Sequence, residues 1–381
     1  MCDPVSLDPL AFFDDSYHAS RQSFLAKCER SRTTRPGAGL YSLPVRSTRG
    51  EDLTIDALHL PPSGAPEDAP LLILSSGLHG VEGFAGAAFQ RLVLDSLLDD
   101  FPECGVLLLH ALNPFGFQHR RRVTEENIDL NRNFDVSDRL FATENGGYRK
   151  LAGVLGPGQA VSAPDLDPLA FMRAAAEWSQ RFSPRELREA VVRGQYEYAD
   201  GIYFGGHGFA EQRGLIEPLL KSTMEPYREV LAVDLHTGFG ARGVVHLFPD
   251  VRPEDTATRG RILELFAGHR IDWSDADDFY TTTGEFVSYI GMLARAEQVF
   301  TPMIFEYGTM DSHLPEGGLL AVHNMILENQ GMQRGYASDA VRAEVEARFL
   351  EMFLPADPDW RASVLDRSLT ILRGALERLM A

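Results

Sequence analysis

Cysteine is nearly missing: the 381 residues hold three, Cys2, Cys28 and Cys104, odd in number and far apart. That excludes a disulfide framework and a cysteine zinc knuckle, so any metal must be held by His and carboxylate. Long apolar runs are missing as well. No window reaches the ~18 uninterrupted apolar residues that a membrane helix needs, and the nearest, Leu71 to Phe89, carries His79 and Glu82 in its middle. Positive charge is in deficit, with 36 Lys plus Arg against 55 Asp plus Glu and a formal charge of -19. So acidic a surface repels nucleic acid and anionic lipid, and neither is expected as a partner. The opening Met-Cys-Asp-Pro-Val-Ser-Leu-Asp lacks the basic start and apolar core of a secretory signal, which reads as cytoplasmic. No internal repeat, no low-complexity tract and no Gly-x-Ser-x-Gly elbow occurs, which argues against a solenoid and a serine hydrolase.

What is present is ordinary globular material, 44% hydrophobic and 24% charged. One domain over 1–381 is the simplest reading, since the only linker-like stretch is the Pro/Gly/Ala loop Pro61 to Pro70. The segment Asp52 to Leu60 alternates as a half-buried strand does, whereas Leu71 to Leu74 and Val106 to Leu109 run apolar throughout, as strands covered on both faces do. Short apolar runs recur at Val230 to Val233, Val244 to Phe248 and Met303 to Phe305. Helical patterns fall at Gly86 to Leu98, Pro168 to Arg181, Arg261 to His269 and Gly318 to Glu328. Strands alternating with helices predict an α/β fold with a mixed, mostly parallel central sheet flanked by helices. From Trp360 onward, apolar residues at Val364, Leu365, Leu369, Leu372, Leu376 and Leu379 mark one face of a packing helix.

Open α/β sheets bind ligands at the ends of their strands, and four polar segments sit there. In Ser75-Ser-Gly-Leu-His-Gly-Val-Glu-Gly83, His79 and Glu82 lie three apart across a strand-to-helix turn, a spacing that suits one cation, or equally a capping Glu beside an unrelated His. In Val233-Asp-Leu-His-Thr-Gly238 the two-residue period puts Asp234 and His236 on one side of a strand. The stretch from Asn113-Pro-Phe-Gly to Asp129-Leu-Asn-Arg-Asn-Phe134 gathers Arg and amide donors that suit a carboxylate or an oxyanion, or simply a solvated basic loop. Glu306 interrupts the end of an apolar strand, where a carboxylate is costly unless paired or functional.

In this order the segments resemble the zinc carboxypeptidases and their relatives, the aspartoacylase and succinylglutamate desuccinylase deacylases, nearest to a bacterial carboxypeptidase-like branch. His79-Gly-Val-Glu82 resembles the His-x-x-Glu zinc pair, Asn113-Pro-Phe-Gly the Asn-Pro-Asp-Gly turn, and Asp129 to Phe134 the Asp-x-Asn-Arg-Asn signature. Asp234-Leu-His236-Thr-Gly looks like the third-ligand strand, and Glu306 falls at the catalytic Glu. The resemblance implies one Zn2+ per chain on His79, Glu82 and His236, with Asp129 orienting His79. It implies a substrate carboxylate on Asn131 and Arg132, an oxyanion on Arg122 with the adjacent Arg120 and Arg121 as alternatives, and a zinc-activated water with Glu306 as general base. Tyr280 is the first choice for the substrate-capping Tyr and Tyr289 the second. The implied activity is hydrolysis of an amide next to a free carboxylate, in a peptide or small molecule. Carboxypeptidase-like cleavage leads, N-acyl amino acid deacylation is the alternative, and a non-catalytic binding protein comes third. Two departures stand out: Phe115 replaces an Asp, and an insertion of roughly 135–224 separates Asn133 from His236. That insertion is expected to wall or cover the site, with His207 structural rather than a ligand.

Overall fold

The computed structural model describes residues 8–156, 158–178, 182–273 and 282–381. Among the described residues seven strands form one sheet: β1 (Gly39–Val45), β2 (Leu53–Leu60), β3 (Pro70–Ser76), β4 (Gly105–His110), β5 (Glu229–Thr237), β6 (Val245–Phe248) and β7 (Val299–Tyr307). Their order across the sheet is β1-β2-β4-β3-β5-β7-β6. The four central strands β4, β3, β5 and β7 are parallel, while β1, β2 and β6 pair antiparallel at the two edges. The α/β class and the mixed, mostly parallel sheet are therefore as the alternating pattern predicts.

The continuous apolar runs become the middle of the sheet. β3 and β4 are buried at every position and β5 at every position after Glu229, because helices cover both faces. Helix Gly83–Ser96 packs on β3, β4 and β5 and against helices Tyr17–Thr34 and Pro358–Leu379, whereas helix Phe286–Leu293 packs on β5 and β7. The C-terminal helix buries Val364, Leu365, Leu372, Leu376 and Leu379 as its periodicity predicts.

One expectation is corrected. β2 is not half-buried: its polar members Thr54 and Asp56 lie in the interior with the apolar ones. Helix Tyr17–Thr34 brings Arg21 over the strand, with Nε 2.7 Å from Asp56 Oδ2, and the hydroxyls of Ser42 and Thr54 donate to the same carboxylate. A buried carboxylate is tolerated when every lone pair is satisfied in this way.

The parallel centre places the strand ends that matter side by side. Strand order reverses at β3, whose chain leaves toward β4 on one side while β5 pairs on the other, so a crevice opens beyond the ends of β3 and β5. In the β5–β7 register His236 stands beside Glu306, and in the β3–β5 register Ser75 stands beside Asp234.

Candidate metal centre and active site

The turn after β3 is built to present His79 and Glu82. Gly77 turns the chain with φ +66°, and a 3-10 turn over Gly80–Glu82 feeds helix Gly83–Ser96. Gly80 admits no side chain, since a Cβ there would lie 2.0 Å from the carbonyl carbon of Gly116. That close approach lets the N–H groups of Gly80 and Val81 donate to the carbonyls of Arg122 and Arg121, tying the arginine segment to the His79 turn. Asn113 caps its own turn by accepting from Gly116 N–H and donates its amide to Arg122 O at 3.1 Å. Phe115, at the position of the departure from the family pattern, is buried against the ring of His119.

His79, Glu82 and His236 converge, all buried, with one ligand atom from each within 4.8 Å of the others. His79 Nδ1 lies 2.9 Å from Glu82 Oε1, His236 Nδ1 lies 2.9 Å from Glu82 Oε2, and the two Nδ1 atoms are 3.2 Å apart. The far side of each ring faces another carboxylate: His79 Nε2 lies 3.1 Å from Asp129 Oδ1, and His236 Nε2 lies 2.7 Å from Asp234 Oδ2. Carboxylates accept and do not donate, so with a cation among the three groups each ring would donate its Nε2–H to Asp129 or Asp234 and turn the Nδ1 lone pair inward. Three acceptors this close repel unless a proton or a cation sits among them. The donor set, two imidazoles and a carboxylate with their outer sides already held, fits a divalent metal ion.

The electrostatics follow from the same contacts. Burial raises the Glu82 carboxyl, but His79 and His236 outweigh it and hold it below the usual range. Burial likewise raises Asp129, yet Arg122 and His79 hold it well below that range. His236 is lowered by burial and raised more by Asp234 and Glu82, so without a cation it keeps a proton well above the ordinary imidazole value. Glu306 goes the other way: burial and the nearby Glu82 push it up to about 8, against a hydrogen bond from Phe239 N–H to its Oε1 at 2.8 Å.

Of the three adjacent arginines, Arg122 faces this cluster, with Nε 3.0 Å from Asp129 Oδ2 and Nη1 3.3 Å from Glu82 Oε1. Arg121 turns away to Glu328 and Asn127, and Arg120 is exposed with its guanidinium on Asp15 O. Asn131 Oδ1 accepts from Phe286 N–H, and Arg132 places three N–H groups on the carbonyls of Val192 and Asn131. Both line the cavity with His79, Glu82, His236 and Glu306. Tyr280 lies outside the described residues. Tyr289 is corrected as a capping candidate: it is fully buried in the core and its hydroxyl donates to Glu217, away from the cavity. His207 is exposed beside Phe204 and does not line the cavity.

Three further residues belong to the site. Asp234 supports His236 as Asp129 supports His79, and the shared side of the strand was its signal. Tyr203 sits at φ +55° with the guanidinium carbons of Arg122 and Arg132 at 5.2 and 5.7 Å from its ring centre. A non-glycine residue in this region marks a constrained position, and Asn133 helps impose it by bonding the carbonyls of Gly205 and Gly208. Glu285 lines the cavity beside Asp250, and burial together with that neighbouring carboxylate pushes it up to about 8. No sequence signal marked that pair.

Comparison with known proteins adds the following. A family model described as "Protein of unknown function (DUF2817)" matches residues 13–367. No curated protein matches the sequence. Among solved structures, bovine thrombin-activatable fibrinolysis inhibitor aligns with 12% identity over 87% of this chain and 97% of its own, TM-score 0.47. Carboxypeptidase A from Helicoverpa armigera aligns with 13% identity over 88% of this chain and 73% of its own, TM-score 0.44. An aspartoacylase family protein from Mesorhizobium loti aligns with 14% identity over 79% of this chain and 67% of its own, TM-score 0.38.

Proposed function

We propose that this chain, which belongs to the DUF2817 family, is a zinc-dependent hydrolase that cleaves an amide next to a free carboxylate. The observation that carries the reading is the convergence of two outward-braced imidazoles and Glu82, with Arg122 and Glu306 on the same cavity. His79, Glu82 and His236 would hold one zinc ion. When bound, zinc supplies Lewis acidity, activating a water and polarising the scissile carbonyl.

The protein's own groups account for the rest. Asp129 and Asp234 fix the tautomer of the two ligand rings. Glu306, beside His236 across the strand pair, takes a proton from the attacking water and hands it to the leaving nitrogen. Its raised pKa would come down toward neutrality with a cation held by the cluster, and a general base works best there. Arg122, its position set by Asp129 and the Gly80 turn, faces the developing oxyanion. Asn131 and Arg132 would take the substrate carboxylate, with Tyr203 stacked on the arginines to restrict their rotamers.

The test pairs elemental analysis of purified protein with hydrolysis of mixed peptides and N-acyl amino acids, with and without chelator. One zinc per chain with chelator-sensitive cleavage is the expected result. A protein that takes up no zinc on supplementation and turns over nothing refutes the reading.

A further inference from the structure

The cavity extends well beyond the metal cluster. Its volume is about 570 Å³, within the roughly 300–1,000 Å³ of small-ligand sites. The cluster, Arg122, Asn131, Arg132 and Glu306 form its polar end, and the acid pair Glu285 and Asp250 also lines it. Another part of the lining is hydrocarbon, an arm with Leu151, Leu155, Val191, Met325, Met352 and Phe353 on its walls. These six are buried and belong to a second hydrophobic cluster, separate from the main core. It is assembled by insertion helices Gly146–Leu155 and Pro184–Val192 with the later helices Pro315–Arg334 and Asp339–Phe353, and helix Pro168–Trp178 packs beside Pro315–Arg334. The lining continues to the surface at Leu314, which is 52% exposed.

An apolar cluster with an opening along its middle forgoes contact on the open side, and water finds no polar partners there. The wall also discriminates among apolar ligands. It is built from helices, whose backbone N–H and C=O groups are bonded within the helix, and from side chains without hydrogen-bonding capacity at the six positions named. A peptide entering the arm would leave its amides unpaired, whereas a polymethylene chain has nothing to satisfy.

The geometry points to a long-chain N-acyl amino acid as the substrate: carboxylate toward Asn131 and Arg132, amide at the His79–Glu82–His236 cluster, and hydrocarbon chain in the arm. This rests on the amide hydrolase reading above and chooses deacylation over peptide cleavage within it. In the reaction the acyl C–N bond breaks and the water oxygen bonds to the acyl carbon. Both water protons end on the leaving nitrogen, giving a fatty carboxylate and an amino acid ammonium, and no co-reactant other than water is needed.

The experiment measures kcat/KM of the zinc-loaded protein for N-acetyl, N-butanoyl, N-octanoyl and N-dodecanoyl derivatives of a mixture of amino acids. Alongside it, calorimetry measures binding of the same series to metal-free protein. The expected kcat/KM rises about threefold to fourfold per methylene until the arm is filled, for a gain above about a hundredfold from acetyl to dodecanoyl. Binding should show the same trend with a negative heat-capacity change. Val322→Asp, half-buried on the arm wall, should collapse the ratio of dodecanoyl to acetyl kcat/KM, and Ala321→Trp should do the same by filling space. A flat or falling series, or preferred cleavage of short peptides, overturns the acyl-chain assignment and leaves the hydrolase standing. Chain-length-dependent binding without cleavage of any substrate overturns the hydrolase and keeps the arm.

Discussion

Asp129→Asn and Asp234→Asn look equivalent in the sequence, yet the structure separates them. Each removes the carboxylate that holds Nε2 of an imidazole in the cluster, at 3.1 Å for His79 and 2.7 Å for His236. Losing such a partner costs about 10–100-fold in metal affinity, or ~1.4–2.8 kcal/mol, and the two variants should fall alike in that measurement. Their folding stabilities should diverge. Asp129 also holds the Arg122 guanidinium at 3.0 Å, and only 12% of that side chain is exposed. Breaking a buried ion pair costs about 3–5 kcal/mol because the surviving charge is stranded. Arg122 keeps Glu82 at 3.3 Å and the Tyr203 ring, so a cost near the lower end, ~3 kcal/mol, is expected. Asp234 instead accepts from Ser75 Oγ at 2.6 Å and faces an imidazole, which can release its proton as a guanidinium cannot. Its replacement should cost roughly 1–2 kcal/mol. Zinc competition against a chromophoric chelator reads the first quantity, and urea unfolding of metal-free protein reads the second. Wild-type zinc affinity in both variants would falsify the orienting role of the two carboxylates, and equal stabilities would remove the argument about Arg122.

Glu306→Gln keeps an acceptor for Phe239 N–H and should retain zinc and fold while losing about 10²–10⁴ in kcat; retained turnover removes Glu306 from the mechanism. Zinc binding should tighten as pH rises, by up to about tenfold per unit for each proton released, because the cation displaces the proton that metal-free His236 holds above its ordinary range. A pH-independent affinity between 6 and 8 is the contrary result. Glu285→Gln tests the second acid pair through stability. Its folded pKa, raised from 4.5 to about 8 by burial and Asp250, means that the native state holds the proton over that interval. Stability should therefore fall as pH climbs from about 4.5 to 8. The full shift sets an upper bound of ~5 kcal/mol on that loss, at ~1.4 kcal/mol per unit. Glu285→Gln should flatten the slope in urea titrations, and an unchanged slope refutes the assignment.

The fold was legible where burial is two-sided. Leu71 to Leu74, Val106 to Leu109 and Val230 to Val233 are apolar at successive positions because both faces of β3, β4 and β5 are covered, so pattern and environment agree. It was illegible at the edges. β1, with Pro44 near its end and uneven exposure, follows neither period, and β2 looked half-buried because Thr54 and Asp56 satisfy their polarity inside the protein. Helix Tyr17–Thr34 escaped notice because its outer face is crowded with charge and only Tyr17, Ser20, Phe24 and Cys28 are buried.

The site divides along the same physical line. His79 with Glu82, Asp129 with Asn131, and Asp234 with His236 are two or three residues apart because one turn or one strand end must present both members, and local spacing of that kind is visible in a sequence. Tyr203, Glu285 and Asp250 reach the cavity from three separate segments, and only tertiary packing brings them to it. The hydrocarbon arm is the extreme case. Leu151, Val191, Met325 and Met352 come from four helices, each with an apolar face that is indistinguishable in sequence from one packed shut against its neighbours. Whether such faces close into core or stand apart around an opening is set by helix spacing and side-chain volume across the four helices.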